Sequence, residues 1–166
     1  MLLSLVASTP HGQTQYPGGA FSPPLAGSTL GASLRNAANA TQTQLAGLRS
    51  ATENWCRRAQ SVGYNDPQFR QDYDNVLWNF QGLRSQFNYL AQLALQLGRS
   101  RAANAVAELD AGLNIIAEIF AFLEEEYAAG TLDRATILRA ARLFQRAIRE
   151  WETDFRKNSS RLGLAW

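Results

Sequence analysis

Large apolar residues recur along residues 67–98 at alternating steps of four and three. This spacing places them on one face of an α-helix and would scatter them over both faces of a strand. Asp66 is a suitable N-cap, Pro67 suits the first helical position, and Gly98 is a typical end signal. The pattern predicts a helix over 67–98 whose buried face is Phe69, Tyr73, Val76, Phe80, Leu83, Phe87, Leu90, Ala94 and Leu97.

The same spacing predicts three further helices, at about 28–62, 100–129 and 133–158. For the first, Ser28 or Thr29 is the expected N-cap, and its buried face is Leu34, Ala38, Thr41, Leu45, Leu48, Thr52, Trp55, Ala59 and Val62. The face of the third is Val106, Leu109, Leu113, Ile116, Phe120, Leu123 and Tyr127, widened towards the interior by Ile115, Ile119 and Phe122. That of the fourth is Ile137, Ala141, Phe144, Ile148, Trp151 and Phe155, with fraying expected from Asn158.

The connections between these helices are short and contain Gly63, Gly98 and Gly130. Short connections make consecutive helices antiparallel. The sequence therefore predicts an all-α, antiparallel up-down-up-down four-helix bundle with long helices and an irregular N-terminal segment. The alternative is a helix that continues across 98–100 and joins the second and third helices into one kinked rod.

Residues 1–27 carry no Asp, Glu, Lys or Arg, and they contain four of the five prolines. We interpret them as a tail or linker rather than a helix or strand. The apolar start, followed by small residues at Val6, Ala7 and Ser8, is typical of the end of a signal peptide, although a positively charged beginning is missing. We favour export, to a periplasm or to the outside, over a cytoplasmic location.

The composition excludes several kinds of chemistry. Of 166 residues, 46% are hydrophobic and 18% charged, as in a globular domain, and the best apolar run, 111–123, is too short for a transmembrane segment. His11 is the only histidine and lies in the tail, which argues against metal and haem sites in the bundle. The acidic run 124–126 has no matching carboxylate or histidine cluster. We expect no enzyme, no catalytic residue, no metal and no cofactor.

Cys56 is the only cysteine, so an internal disulfide is excluded. It precedes Arg57 and Arg58, and neighbouring cations can lower the pKa of a thiol and make it reactive. Without a histidine in the helices, we favour a buried, inert thiol.

Charge divides between the last two helices. Seven acidic residues and no basic ones lie within 105–133, whereas the fourth helix carries an arginine stripe at Arg139, Arg142, Arg146 and Arg149. The stripe is either an anion-binding site or a solvated face that complements the acidic third helix. The net charge of +2 gives no clear basic excess, so we expect no nucleic-acid partner.

The outer face of the second helix is the other candidate site. Trp78 and Tyr89 fall opposite the buried seam, together with Gln92 and Gln96, and residues 85–98 carry no charge. A neutral face with aromatic residues indicates cover by another surface. The N-terminal segment, a second copy of the chain and a partner protein are the candidate occupants.

The leading hypothesis is thus a non-enzymatic interaction or structural module that binds a protein partner or itself through helix surfaces. The alternative is a bundle that binds a small ligand or anion, in a sensor-like role. Such a ligand would occupy either the arginine stripe or a core cavity beside the polar seam residues Thr41 and Thr52.

Overall fold

The computed structural model describes the backbone of residues 27–61 and 66–164, with side chains from residue 29 onward. It confirms the all-α four-helix bundle, and none of the described residues forms a strand. None of the described helices is long and apolar enough to cross a membrane. The predictions for the N-terminal tail and for Val62 lie outside the described residues. The helices are α1 (Gly27–Ser61), α2 (Pro67–Gln96), α3 (Ala102–Ala128) and α4 (Arg134–Leu162).

Packing between the helices follows the up-down-up-down order. α1 packs along α2 on one side and α4 on the other, while α3 packs mainly along α4 and more narrowly along α2. The close contact of α1 with α2 depends on two glycines. A Cβ atom on Gly47 would lie 2.6 Å from Asn79 Oδ1, and one on Gly82 would lie 2.7 Å from Gln44 Oε1. Missing side chains at these two points let the helices approach.

Aromatic rings from all four helices meet in the core. The Phe120 ring lies 4.5 Å from Phe144, 5.2 Å from Phe80 and 5.8 Å from Tyr73, measured between centroids. Trp55 of α1 contacts Tyr73 at 5.8 Å and Phe144 at 5.9 Å. Such pairs add about 0.5–1.5 kcal/mol each beyond area burial. The predicted α2 seam is buried throughout, except that Leu97 at its end is half-buried.

The helix ends confirm Asp66 as a cap and exclude the kinked rod. The expected cap of α1 at Ser28 or Thr29 is wrong, because α1 already begins at Gly27 and both residues lie within the helix. Asp66 Oδ1 accepts the Gln68 N–H and Asp133 Oδ1 accepts the Thr136 N–H, both at 2.7 Å. The hydrogen bonds from Thr136 hold the pKa of the Asp133 carboxyl below its usual range. Gly98 takes a left-handed conformation (φ +65°), so α2 ends there and α3 begins anew at Ala102.

Helix α4 extends beyond the predicted fraying at Asn158. Asn158 is buried, and its Nδ2 donates to Glu108 Oε2 and to the Asp154 carbonyl, both at 3.1 Å. Gly163 (φ +91°) closes the helix, and the Leu164 N–H donates to the Ser159 carbonyl at 2.9 Å, in the manner of a Schellman motif. A polar segment thus remains helical because α3 and the cap supply its partners.

The predicted widening of the α3 stripe is wrong at two of its three positions. Ile119 is buried, but Ile115 and Phe122 are exposed, as is the seam residue Tyr127. Ile115 and Phe122 lie on the side of α3 that faces outward along the boundary with α4, whereas Tyr127 lies at the end of the bundle beside Arg70 of α2.

Trp151 of α4 is fixed by contacts on several sides. Its Nε1 donates to the Leu109 carbonyl at 2.9 Å, and its ring stacks on Phe155 with centroids 5.2 Å apart. A Cβ atom on Gly112 of α3 would lie only 2.8 Å from Trp151 Cδ1. The indole therefore occupies the space that a side chain at residue 112 would need.

Gly112→Ala is expected to destabilise the bundle by about 1–3 kcal/mol, because the anchored indole cannot move away from the new methyl group. Gly31→Ala is the matched control, since a Cβ at Gly31 meets nothing within 4 Å. It should stabilise the protein by about 0.5–1 kcal/mol through helix propensity. Urea unfolding of both variants measures the difference. Equal stabilisation by the two substitutions would contradict the close contact at Gly112.

Candidate functional site

The outer face of α2 is exposed, as predicted from its spacing. Trp78 is 74% exposed and Tyr89 is 50% exposed, and Gln92 and Gln96 are exposed as well. Eleven residues separate the two aromatic side chains, which puts them on one line of the helix but roughly 16 Å apart. The structure therefore aligns these four residues without bringing the two rings together. Part of the charge-free stretch is simply core, because Ala91 and Leu93 are buried.

The arginine stripe of α4 is exposed along its whole length. Arg146 pairs with Glu150 at 2.8 Å, as its spacing predicts. The spacing of Arg149 and Glu152 also suits an ion pair within the helix, but Glu152 instead contacts Arg49 of α1 at 3.6 Å and pairs with Arg156. Within 27–61 and 66–164, Arg139, Arg142 and Arg149 form no ion pair.

The acidic α3 and the basic α4 barely neutralise each other. Among the described residues, one ion pair joins the two helices, between Arg161 and Glu108 at 3.3 Å. Glu118 and Glu125 of α3 also form no ion pair with any described residue. Opposite charges on neighbouring helices thus remain available at the surface.

Between these charges lies an apolar groove, which the sequence alone did not reveal. Ile115, Phe122 and Leu143 are exposed along it, and Ile119 and Ala147 form its floor. We define the α3–α4 face as this groove with its two edges. Glu118 lines the groove from α3 and Glu125 follows it one heptad later, whereas Arg139, Arg142 and Arg146 lie beside Leu143 on α4. The seven-residue spacing of Ile115 and Phe122 was the available signal for this face.

A pocket of about 60 Å³ lies at one end of the bundle. It is placed where α1 and α3 end and where α2 and α4 begin. Its walls are mainly apolar, and two charged residues stand among them. We name it the end pocket; its lining residues are Trp55, Phe69, Arg70, Tyr73, Leu123, Glu124, Tyr127, Leu132 and Ile137.

Two residues that line the end pocket each carry a buried polar atom that solvent does not reach. Trp55 is 1% exposed and Tyr73 is 4% exposed, and neither Trp55 Nε1 nor the Tyr73 hydroxyl forms a hydrogen bond with any described residue. Burial first, and then the nearby Glu124 carboxylate, raise the pKa of Tyr73, so the hydroxyl keeps its proton at neutral pH. The Glu124 carboxylate lies near enough to act as an acceptor for the Tyr73 hydroxyl, so a small movement of this exposed side chain satisfies it.

The charged residues of the end pocket neutralise each other. Arg70 lies 3.6 Å from Glu124 and 3.1 Å from Asp74, and its guanidinium sits 5.0 Å from the Tyr73 ring centroid and 5.2 Å from that of Tyr127. Arg70 is thus held by two carboxylates and two aromatic rings. The acidic run at the end of α3 contributes to this arrangement and not to a carboxylate pair.

The seam threonines have their own partners. Thr41 Oγ1 donates to the Ala37 carbonyl and Thr52 Oγ1 to the Leu48 carbonyl, both at 2.8 Å. Both hydroxyls are therefore satisfied within α1. Neither threonine lines the end pocket, but Thr52 lines a separate pocket of about 100 Å³ between α1 and α4, together with Arg149. The sequence could not locate the end pocket, because it depends on how large rings from different helices fill one end of the bundle.

Cys56 is buried, and its Sγ lies 3.7 Å from the Ala141 carbonyl, to which the thiol donates. Burial, with a smaller effect of Glu53, raises the pKa of the Cys56 thiol to about 11. Arg57 and Arg58 do not offset these effects, since Arg58 pairs with Asp72. At neutral pH, Cys56 is therefore the protonated thiol, which reacts weakly.

No group of three His, Cys, Asp or Glu side chains in the described part of the chain is arranged to hold a metal ion. Comparisons with protein families, curated proteins and solved structures find no match to this chain.

Native Cys56 is expected to resist alkylation by iodoacetamide at pH 8. Thiolate is the reacting species, and a pKa near 11 in place of 9.0 lowers its amount about 100-fold, before burial slows access further. Mass spectrometry of the native and the urea-unfolded protein measures both rates. The expected outcome is alkylation at least 100-fold slower in the native protein; comparable rates would show that the thiol is reached and activated by the neighbouring arginines.

Proposed function

We propose that this protein is a non-enzymatic association module that forms a homodimer through its α3–α4 face. The carrying observation is an exposed apolar groove with Glu118 on its α3 edge and the ion pair of Arg146 and Glu150 on its α4 edge. Arg139 and Arg142 continue the α4 edge, and neither they nor Glu118 form an ion pair with any described residue. A second copy of the chain is the occupant that fits this face.

The apolar centre supports association. Ile115, 53% exposed, lies in one groove with Phe122 and Leu143. α3 and α4 have 27 and 29 residues, so each is about 40 Å long. Two helices of about 10 Å width then offer roughly 800 Å². Stable interfaces bury about 800 Å² per partner, so the face is large enough if both copies use its full length.

The charges support a twofold arrangement. In a twofold dimer, each copy presents the same patch. When the twofold axis runs parallel to the helices, the acidic edge of one copy meets the basic edge of the other, whereas an axis across the helices would bring like charges together, so the charges favour the first arrangement. Glu118 and Glu125 of one copy can face Arg139 and Arg142 of the other, and the reverse pairing follows by symmetry. Charges that have no ion-pair partner among the described residues then gain one across the interface, and the main gain is specificity.

The outer face of α2 stays a prediction as a second association surface. Its aromatic residues are separated by polar side chains, whereas the three apolar side chains of the α3–α4 face line one groove. Anion binding by the arginine stripe also stays a prediction, because Arg139, Arg142 and Arg149 have no described ion-pair partner. Dimerisation is the proposal that accounts for the apolar groove and both charged edges together.

Replacing Ile115 and Leu143 with Ser should weaken the dimer at least tenfold without loss of helicity, because both side chains are already solvated in the monomer. Sedimentation velocity over a wide range of concentrations measures the association. Trp78→Ser with Tyr89→Ser is the matched control and should leave the dimer unchanged. A monomeric wild-type chain would contradict the proposal, and loss of association only in the Trp78 and Tyr89 variant would move the interface to α2.

Charge reversal provides a test of the twofold pairing. A chain with Glu118→Arg and Glu125→Arg, and a second chain with Arg139→Glu and Arg142→Glu, should each be monomeric, because like-charged edges then meet. Mixed together, the two chains present opposite charges at both edges and should form a heterodimer, visible by native mass spectrometry. If both variants still form homodimers, the charged edges do not lie in the interface. If the mixture stays monomeric, the pairing is wrong.

A further inference from the structure

We propose that the outer face of α2 is a second interface between copies of this chain, in which α2 pairs antiparallel with α2 of another copy. The α2 contact is independent of the α3–α4 face, because the two surfaces have no residue in common. Only the association of dimers into larger species through α2 rests on the proposed function.

A second row of residues with alternating steps of four and three runs along the exposed side of α2. Steps of this kind keep side chains in line on a helix, as in the seam of a coiled coil. We name this set the outer row; its residues are Gln71, Asn75, Trp78, Gly82, Ser85, Tyr89, Gln92 and Gln96. All of them are exposed except Gly82, which is half-buried.

The outer row carries no charge at any of its eight positions, although the exposed face of a helix usually carries charged side chains. It contains two large rings, Trp78 and Tyr89, of which Trp78 is 74% exposed. The centres of protein interfaces are rich in Trp and Tyr and poor in charged residues, because an unpaired charge is costly to bury. The outer row therefore fits burial against another neutral surface, and the outer row of a second copy is such a surface.

The order of residues in the outer row is self-complementary. In a twofold pair, residue i of one copy meets residue j of the other, and j meets i. An axis across the helices, between Leu83 and Arg84, makes the two α2 helices antiparallel and aligns the rows along their whole length. The pairs that result are Gln71 with Gln96, Asn75 with Gln92, Trp78 with Tyr89, and Gly82 with Ser85.

Each of these pairs joins side chains of the same kind. Aromatic rings attract each other in tilted and edge-to-face contacts. Two amide groups can each donate and accept a hydrogen bond. Gly82 and Ser85 put the smallest side chains at the centre, where the Gln44 side chain of α1 already lies against Gly82 and adds a further amide.

The charges beside the outer row favour the antiparallel orientation. The charged residues of α2 all precede Ser85, and residues 85–96 carry none. In a parallel pair, the exposed Asp74 would meet Asp74 of the other copy, and Arg70 offsets this charge only within its own chain. In an antiparallel pair, Asp74 faces the uncharged end of the other α2, so like charges do not meet.

The area of the outer row indicates a weaker contact than that of the α3–α4 face. α2 has 30 residues, so a face of one helix, about 45 Å long and about 10 Å wide, offers roughly 450 Å². Stable interfaces bury about 800 Å² per partner. The α3–α4 dimer therefore forms at lower concentration, and the α2 contact joins dimers into tetramers and longer chains at higher concentration.

Single cysteines test the antiparallel register. Ser85→Cys should form a disulfide-linked pair on oxidation with copper–phenanthroline, because residue 85 of both copies lies near the twofold axis. Gln71→Cys should not cross-link to itself, since the two copies of residue 71 lie roughly 37 Å apart along the helices. Mixed with a chain that carries Gln96→Cys, it should cross-link. Gels without reductant measure the products, and the wild-type chain, whose Cys56 is buried, is the control. Cross-linking of Gln71→Cys to itself would overturn the antiparallel pairing, and its absence for Ser85→Cys would overturn the α2 contact.

Sedimentation velocity up to near-millimolar concentration tests the assembly. The wild-type chain should form species larger than a dimer. Trp78→Ser with Tyr89→Ser should raise the concentration at which these species appear at least tenfold and leave the dimer intact. Leu95→Ser is the matched control and should change neither, because Leu95 is 47% exposed on α2 but lies outside the outer row. A wild-type chain that stops at the dimer would leave this face to another occupant and overturn the proposal, as would equal effects of the two variants.

The chain with Ile115→Ser and Leu143→Ser separates this proposal from the proposed function. It lacks the α3–α4 contact but keeps the outer row, so it should form a dimer at high concentration that Trp78→Ser abolishes. If the wild-type chain forms no dimer through the α3–α4 face, the proposed function fails, while the cross-link of Ser85→Cys is still expected. If the α3–α4 dimer forms and this cross-link does not, the α2 contact alone is wrong.

Discussion

Six aromatic rings contributed by all four helices form one connected cluster in the half of the bundle where α1 leads into α2. Phe120 occupies the centre, and its contacts with Phe144, Phe80 and Tyr73 connect α3 with α4 and α2. Rings of this size keep the helices apart wherever they meet. α1 and α2 approach closely beyond the cluster, where Gly47 and Gly82 leave room. The distance between neighbouring helices is therefore larger where aromatic rings pack between them and smaller where Gly47 and Gly82 meet the facing helix.

The end pocket is a consequence of the same constraint. Planar rings held at tilted and edge-to-face angles, such as Trp55 against Phe69 and Tyr73, cannot close the last turn of a bundle completely. Aliphatic side chains such as Leu132 and Ile137 cover only part of the remaining space. At the opposite end, Leu162 and Leu164 are buried beneath a regular helix cap, and the Trp151 indole finds a carbonyl. The two buried tryptophans therefore differ: the indole N–H of Trp151 is hydrogen-bonded, and that of Trp55 is not.

The fold was predictable from the sequence to a large extent, because heptad spacing reports directly on burial. Every described residue of the α1, α2 and α4 seams is buried except Leu97 at the end of α2. The prediction was wrong for α3, whose stripe of apolar residues is wider than the surface that it buries against the other helices. Ile115 and Phe122 lie too far around α3 to reach the core, so they are exposed. The length of α4 was missed because Asn158 gains its partners from Glu108, 50 residues earlier in the chain. The outer face of α2 and the end pocket differ in how far the sequence predicts them. The exposure of Trp78 follows from spacing alone, but the unpaired polar atoms at Trp55 and Tyr73 depend on tertiary packing.

The contact between Gly112 and Trp151 has a consequence beyond packing density. A bare backbone on α3 faces one broad ring on α4, and this pair prevents the two helices from sliding along each other. Gly112 lies one turn before Ile115. The axial position of α3 relative to α4 that this contact sets therefore also sets the positions of the exposed residues on the two helices. The distance along the axis between the glutamates of α3 and the arginines of α4 is therefore determined in the interior. A glycine with no side chain of its own sets the register of the charges that the molecule presents to its surroundings.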